Sequence, residues 1–251
     1  MCGREAQFRG RAAMQDAFMA EHGGQELPPR YNIGPTQQLY TVTHDHHGRT
    51  LEAMRWGLVP AGSKKGVREQ GSRPWFNGRR EQIDQQSGAG HVYRMLITRR
   101  RCLVPFDVFY EWQGLPQGGK QPYAITPDED RVHAFAGIFD EWHDEEGGVV
   151  KSCLIFTRPA EPLMAFIHNA GARKHRQPVI LPRGSWDAWL DPSSSGDDAL
   201  AMLDQQPPSL QATPITSAVS KGVEGPQVLE AAGETITQPG TLDDPQGNLF
   251  G

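Results

Sequence analysis

Apolar residues in this chain come in short runs broken by glycine, proline, aspartate and asparagine. Eight runs have strand length and are rich in β-branched and aromatic residues: 39–43, 51–56, 102–105, 108–112, 122–126, 132–138, 150–157 and 179–181. One helical pattern lies near the start, over 11–22. Met14 and Phe18 stand four apart there, and Gly23-Gly24 ends it. Two more short helices are expected, one from an N-cap at Ser185 through Leu190 and one over 197–204. Helices do not alternate regularly with strands, which argues against a doubly wound parallel sheet. The pattern predicts an α+β fold: a single domain with a curved, mostly antiparallel, barrel-like sheet and flanking short helices. Segments 62–71 and 84–90 read as mobile loops.

Composition sets the outer bounds. With 251 residues, 37% hydrophobic and 22% charged, the chain has a soluble globular make-up and enough apolar material for a core. No stretch approaches the ~20 apolar residues of a membrane span, and no apolar segment marks a secretory signal. Three cysteines without framework spacing fit a reducing compartment, so a cytoplasmic location is expected. Cys102 and Cys153 lie in apolar runs and read as core residues. No spacing resembles a zinc site, so no metal or cofactor is expected. The polar, aperiodic end predicts a domain over 1–233 and a flexible tail over 234–251. A monomer is expected.

Charge changes the picture locally. The formal net charge is −5, yet from Arg55 to Arg101 eleven Lys and Arg stand against three acids. Such a block suits phosphate contact; a solvated loop surface is the alternative.

The most suggestive chemistry stands at Met1-Cys2-Gly3-Arg4. Cysteine is small enough for the initiator methionine to be removed before it, leaving an α-amine beside the thiol. Their reference pKa values are about 8 and about 8.5, so both are usable near neutral pH. The amine condenses with an aldehyde to an imine, and the thiol then closes a five-membered thiazolidine. Both nucleophiles share one carbon skeleton, so no second residue is required.

Distant segments extend this. They are Arg30-Tyr31-Asn32-Ile33-Gly34-Pro35-Thr36-Gln37, Arg55-Trp56-Gly57-Leu58-Val59-Pro60 and Asn77-Gly78-Arg79-Arg80-Glu81. Arg101-Cys102-Leu103-Val104-Pro105, Phe109-Tyr110-Glu111-Trp112, Lys120-Gln121-Pro122-Tyr123 and Ala136-Gly137-Ile138 follow, then Ile167-His168-Asn169 and Gln177-Pro178-Val179-Ile180-Leu181. In this order, after an N-terminal cysteine, they resemble the SOS response-associated peptidase family, the abasic-site shielding proteins. The resemblance runs from Cys2 to about Ser220. It implies that Cys2 forms a thiazolidine with a ring-opened abasic site in single-stranded DNA. It implies further that Asn77 positions the N-terminal residue, that Glu111 handles protons and that His168 contacts the opened sugar. Arg4 and Arg79 match positions that grip phosphates. Read without the resemblance, Asn77-Gly78 is a turn, Glu111 a solvent-facing strand charge and His168 structural.

The chain departs from the family pattern in three places. Ala61-Gly62 follows Pro60 where a tryptophan is usual, and Trp75 or Phe76 is expected to take its place against bases. Phe106-Asp107-Val108 replaces Ala-Asp-Gly, which predicts repacking beneath Glu111. An insertion from Ala170 to His175 separates His168 from Arg176, which is aligned with the family's DNA-contacting arginine. In the tail, Gln246, Leu249 and Phe250 resemble the peptide that docks on the bacterial sliding clamp. Two other functions compete: an N-terminal-nucleophile amidohydrolase, since class II glutamine amidotransferases also begin Met-Cys-Gly, and a non-catalytic single-stranded DNA binder.

Overall fold

A computed structural model describes residues 3–64, 66–67, 75–85, 88–129 and 131–239. Its first half runs β1 (Glu5–Gln7), α1 (Gly10–Phe18), β2 (Glu21–Gly23), β3 (Arg30–Ile33), β4 (Gln38–Asp45), β5 (Gly48–Trp56), β6 (Asn77–Arg79), α2 (Ala89–Ile97), β7 (Arg101–Phe106) and β8 (Val108–Gly114). The second half adds β9 (Lys120–Pro127), β10 (His133–His143), β11 (Val149–Pro159), α3 (Pro162–Ile167), β12 (Arg176–Pro178), α4 (Trp186–Leu190), α5 (Gly196–Leu203) and β13 (Leu210–Pro214).

Strands β11, β10, β7, β4 and β5 pair in that order. Parallel pairing of Arg55 and Trp56 with Ser152 and Cys153 closes them into a five-stranded barrel. A second sheet, β13-β9-β8-β1-β3, is antiparallel throughout. The chain thus adopts the expected α+β class, with mostly antiparallel sheet and short helices around it.

Alternation along β7, β10 and β11 feeds two cores. Leu103, Ala136, Leu154 and Phe156 pack with Met14, Phe18 and helix residues Tyr93, Leu96, Trp186 and Trp189. Cys102, Val104, Phe135 and Ile155 pack with Phe109, Tyr123 and Ile125 of the second sheet. Burial on both faces is why these runs read as continuously apolar.

Several boundaries differ from expectation. Helix α1 ends at Phe18 because Met19 turns left-handed, with φ 50, and the expected helical turn to His22 instead becomes β2 alongside β5. Helix α2 starts inside the segment expected to be a loop, with Tyr93, Leu96 and Ile97 buried on one side. At 179–181 the expected strand shrinks to a bridge from Ile180 to Phe135, flanked by backbone bonds of Val179 and Leu181 to β10 and β11. Beyond Gly233 the packed chain continues: Ile236 bridges to Ala212 and is buried, so an expected tail starting at 234 cuts through this pairing. Gln246, Leu249 and Phe250 lie outside the described residues.

The basic block is not one phosphate-facing patch. Arg101 is buried and donates to the carbonyls of Ile97, Trp189, Asp191 and Ser194, tying helix ends to the start of β7. Arg80 is paired with Asp84 and Asp204. Arg55 donates to the Gly57 carbonyl at 2.6 Å, and Arg100 lies over the Phe139 ring. No helix among the described residues is long and apolar enough to cross a membrane.

Candidate active site

Strand β1 carries the chain start into the fold. It lies between β3 and β8, with Glu5 opposite Ile33 and Phe109. The Tyr110 amide donates to the Arg4 carbonyl at 3.0 Å, so residue 3 is led along β8 towards Glu111. Cys2 itself lies outside the described residues. Asp107 fixes the other end of β1. Its carboxylate accepts the Phe8 and Arg9 amides at 2.6 and 3.0 Å and pairs with Arg9 Nε at 2.9 Å. Arg4 donates to Asn32 Oδ1 at 3.1 Å, and Asn32 in turn donates to the Val219 and Val223 carbonyls. Gly34 gives the Arg4 guanidinium room, since a Cβ there would stand 3.2 Å from Nη1.

Glu111 sits on β8 opposite Tyr123 and is 3% exposed, not solvent-facing. Burial pushes its carboxyl above the usual carboxylate range; the positive N-terminus, the Trp112 amide and Lys120 pull against that. Just beyond it, Asn169 clamps Gly114 from both sides. Its Oδ1 accepts the Gly114 amide at 2.8 Å and its Nδ2 donates to the Gly114 carbonyl at 3.1 Å. A Cβ on Gly114 would stand 2.8 Å from Ala170 Cβ, so glycine permits this approach. Gln113 adds a bond to the Phe166 carbonyl at 3.3 Å and accepts from the Tyr123 hydroxyl. These contacts lock α3 and His168 beside the end of β8.

His168 ends α3 and is 6% exposed. Its Nδ1 stands 3.0 Å from the Arg176 carbonyl oxygen and 3.2 Å from the Arg176 amide nitrogen. One neutral tautomer donates to that carbonyl and the other accepts from that amide, so a single residue supports both. Burial, then the positive N-terminus, then His175 and Arg176, push the imidazole pKa down to about 4, so it is neutral at pH 7. The insertion forms a loop that returns through His175, whose amide donates to the His168 carbonyl at 2.7 Å.

Asn77 and Arg79 lie on β6, which pairs with β11 at Ile155 and Thr157. Strand β12 brings Arg176 to the same end of β11. Asn77, Arg79, Arg176 and His168 therefore gather there, and the Asn169 clamp adds Glu111. Among the described residues the Arg79 side chain makes no hydrogen bond or ion pair, whereas the Arg176 guanidinium is held by Glu81 and Thr157. Trp75 is 37% exposed, bridges to Leu58 and meets Tyr93 edge-on at 6.2 Å. Phe76 instead packs edge-on against Trp56, and its carbonyl takes the Trp56 indole N–H, so it belongs to the core.

A match to the family described as SOS response associated peptidase (SRAP) spans residues 1–222. The chain belongs to the SRAP family. Abasic site processing protein YoqW of Bacillus subtilis (strain 168) is 31% identical over 208 residues, which is 81% of this chain and 86% of that protein. Abasic site processing protein HMCES of Gallus gallus is 31% identical over 230 residues, 76% of this chain and 66% of that protein. A solved structure from Bacteroides thetaiotaomicron shares the fold, with TM-score 0.77 at 22% identity, over 92% of this chain and 100% of that one.

The residues that hold this SRAP site together, Glu81, Asp107, Thr157 and Asn169, were not singled out by sequence as positioning groups. Asn169 and Glu81 at least stand inside quoted segments; Thr157 carries no local signal. The state of His168 has a measurable consequence. Its pKa is depressed in the folded protein, so the unfolded chain binds the extra proton first. The associated stability is present above about pH 6.5 and is lost as pH falls towards 4. Between those pH values a His168→Asn variant is expected to lose less thermal stability than the parent; equal losses would refute the buried neutral imidazole.

Proposed function

We propose that this SRAP protein processes abasic sites in single-stranded DNA, capturing the lesion's aldehyde on Cys2 once Met1 has been removed. The observation that carries this reading is the gathering of Glu111 and His168 where β1 delivers the start of the chain. The names of the relatives, abasic site processing proteins, support the substrate class.

The abasic sugar is largely a closed hemiacetal. Opening it needs a proton on the ring oxygen and removal of the hydroxyl proton. Glu111, kept protonated more readily by burial, supplies the first; neutral His168 accepts the second. The Cys2 amine then adds to the aldehyde carbon and water leaves, giving an imine. The thiol adds to that carbon and its proton passes to nitrogen. One C–N and one C–S bond form, one water is lost, and no DNA strand bond breaks. Asn77 positions the N-terminal residue. Arg4 and Arg79 take flanking phosphates, and Trp75 offers a face to an unstacked base. Self-removal of Met1, an autoproteolytic step, is the only proteolysis this requires. The tail peptide with Gln246, Leu249 and Phe250 is proposed to dock on the sliding clamp.

The test is a denaturing gel of the protein incubated with single-stranded DNA carrying one abasic site. A heat-resistant shifted band is expected, and it should vanish in Cys2→Ala. Glutamine hydrolysis without that band would place the chain among N-terminal-nucleophile amidohydrolases instead, and salt-sensitive binding alone among passive binders.

A further inference from the structure

The Arg176 guanidinium is presented much as a phosphate clamp would be, but a carboxylate occupies it. Nη1 and Nη2 donate to the two oxygens of Glu81 side by side, and Nη2 also donates to the Thr157 carbonyl at 2.7 Å and hydroxyl at 3.1 Å. This two-pronged arrangement suits a phosphodiester as well as a carboxylate. The partners differ in freedom. The Arg176 side chain is 12% exposed and anchored to β11, whereas the Glu81 side chain is 48% exposed on the single turn Arg80–Gln82. Glu81 can rotate into water while Arg176 stays in place.

Neighbouring groups favour an anion there. The Arg79 side chain, two residues before Glu81, has no hydrogen-bond or ion-pair partner among the described residues. Arg173 on the inserted loop is exposed and acts on the same Tyr93 hydroxyl as Arg79. We infer that Glu81 keeps closed the phosphodiester subsite that the family resemblance expects at Arg176, its carboxylate standing where a phosphate of the DNA strand sits once bound. The inference rests on the reading of the chain as a single-stranded DNA binder, and it makes Glu81 a competitor for Arg176 as well as the group that holds it in the unbound protein. The exchange also reaches the acid–base group, because the amide and carbonyl of Arg176 are the two groups that hold His168 Nδ1. Strand engagement and His168 orientation are thereby tied to one residue.

The experiment titrates an undamaged, labelled single-stranded oligonucleotide by fluorescence anisotropy across a salt series. Glu81→Gln removes the competing charge with little change of shape. It is expected to bind at least about 5-fold tighter at low salt, with a log–log salt slope steeper by about 0.7 to 0.9, one further phosphate contact. Glu145→Gln, the same charge change in the exposed turn at the far end of β11, should shift affinity less than about 2-fold by long-range charge alone. Glu81→Gln/Arg176→Gln should lose the gain, and Glu81→Gln/Arg176→Lys should keep part of it as a point charge. Unchanged or weaker binding by Glu81→Gln overturns the inference, as does a gain that survives loss of Arg176. Thermal unfolding of each variant identifies any that fail to fold, and the lysine variant then carries the comparison. Phosphate buffer competing better than chloride at equal ionic strength would reassign the subsite to free phosphate and likewise overturn it. Undamaged DNA has no aldehyde, so this result stands apart from the crosslinking gel. A crosslink without the affinity gain refutes only the Glu81 exchange; the gain without a crosslink refutes only the capture chemistry.

Discussion

Glutamine in place of Glu111 is expected to slow crosslink formation by about 10²- to 10⁴-fold, the range of a positioned general acid–base group. The substitution keeps size and removes only the titrating proton. Undamaged DNA should bind as before, because Glu111 is not among the residues proposed to take phosphates. The pH profile gives a second signature. Burial is the main influence raising the Glu111 carboxyl above its ordinary range, so the protonated acid persists to higher pH than a surface glutamate allows. Crosslinking by the parent protein should fall as pH rises through that raised value, and the Glu111→Gln variant should lack this descending limb. Single-turnover rates over pH 5 to about 9 measure both. Equal rates for parent and variant would remove Glu111 from the chemistry.

A second large effect concerns stability. Glu5 is fully buried on β1, and neither carboxyl oxygen has a hydrogen-bond partner among the described residues. Burial, with the nearby Asp107 carboxylate adding to it, raises the Glu5 carboxyl well above its usual range. Cys153 on β11 feels the same group, its thiol pushed up to about 12 chiefly by burial. The sign follows from proton uptake. Folding must protonate Glu5, so its stabilising neutral form is fully present below the ordinary carboxylate pKa and is lost as pH rises towards the raised one. Glu5→Met replaces an unsatisfied polar group with an apolar one of similar length. At pH 8 this is expected to stabilise by about 1–3 kcal/mol, roughly 3–10 °C in unfolding midpoint for a domain of this size. The gain should shrink towards pH 4. A lower midpoint than the parent at pH 8 would mean that Glu5 makes a contact worth more than its desolvation.

Much of the fold was legible because its longest strands are buried on both faces. Runs such as 102–105 and 150–157 are apolar enough to declare themselves without any partner. The three-residue strands β1, β6 and β12 are not: none spans enough residues for a period, and each exists only because a distant strand accepts it. Glu5 illustrates the cost. Along the chain it looks like any charged residue near a terminus, and only the packing of β1's sheet against the barrel buries it, beside Asp107 and Cys153. Helix α2 had its signal, with Tyr93, Leu96 and Ile97 on one side, but the glycines at 88 and 90 outweighed it. For the site, Glu111 and His168 were reachable because family motifs carry them. Thr157 was not, since its role depends on an arginine nineteen residues away and a third strand. The basic block misled for a related reason: charge along the sequence does not reveal that Arg101 is spent on helix-end carbonyls or Arg80 on Asp204.

The pairing of β1 with β8 also sets an order of events during synthesis. About a hundred residues separate Glu5 from its neighbour Phe109, and the clamp from Asn169 to Gly114 needs still later chain. A nascent chain emerging from the ribosome has its first strand and the neighbouring β3 early, but the β8 side of that strand stays open. Until α3 has left the exit tunnel, the leading strand lacks the clamp that fixes the end of β8 beside it, so its final seat is among the last parts of the fold to be completed.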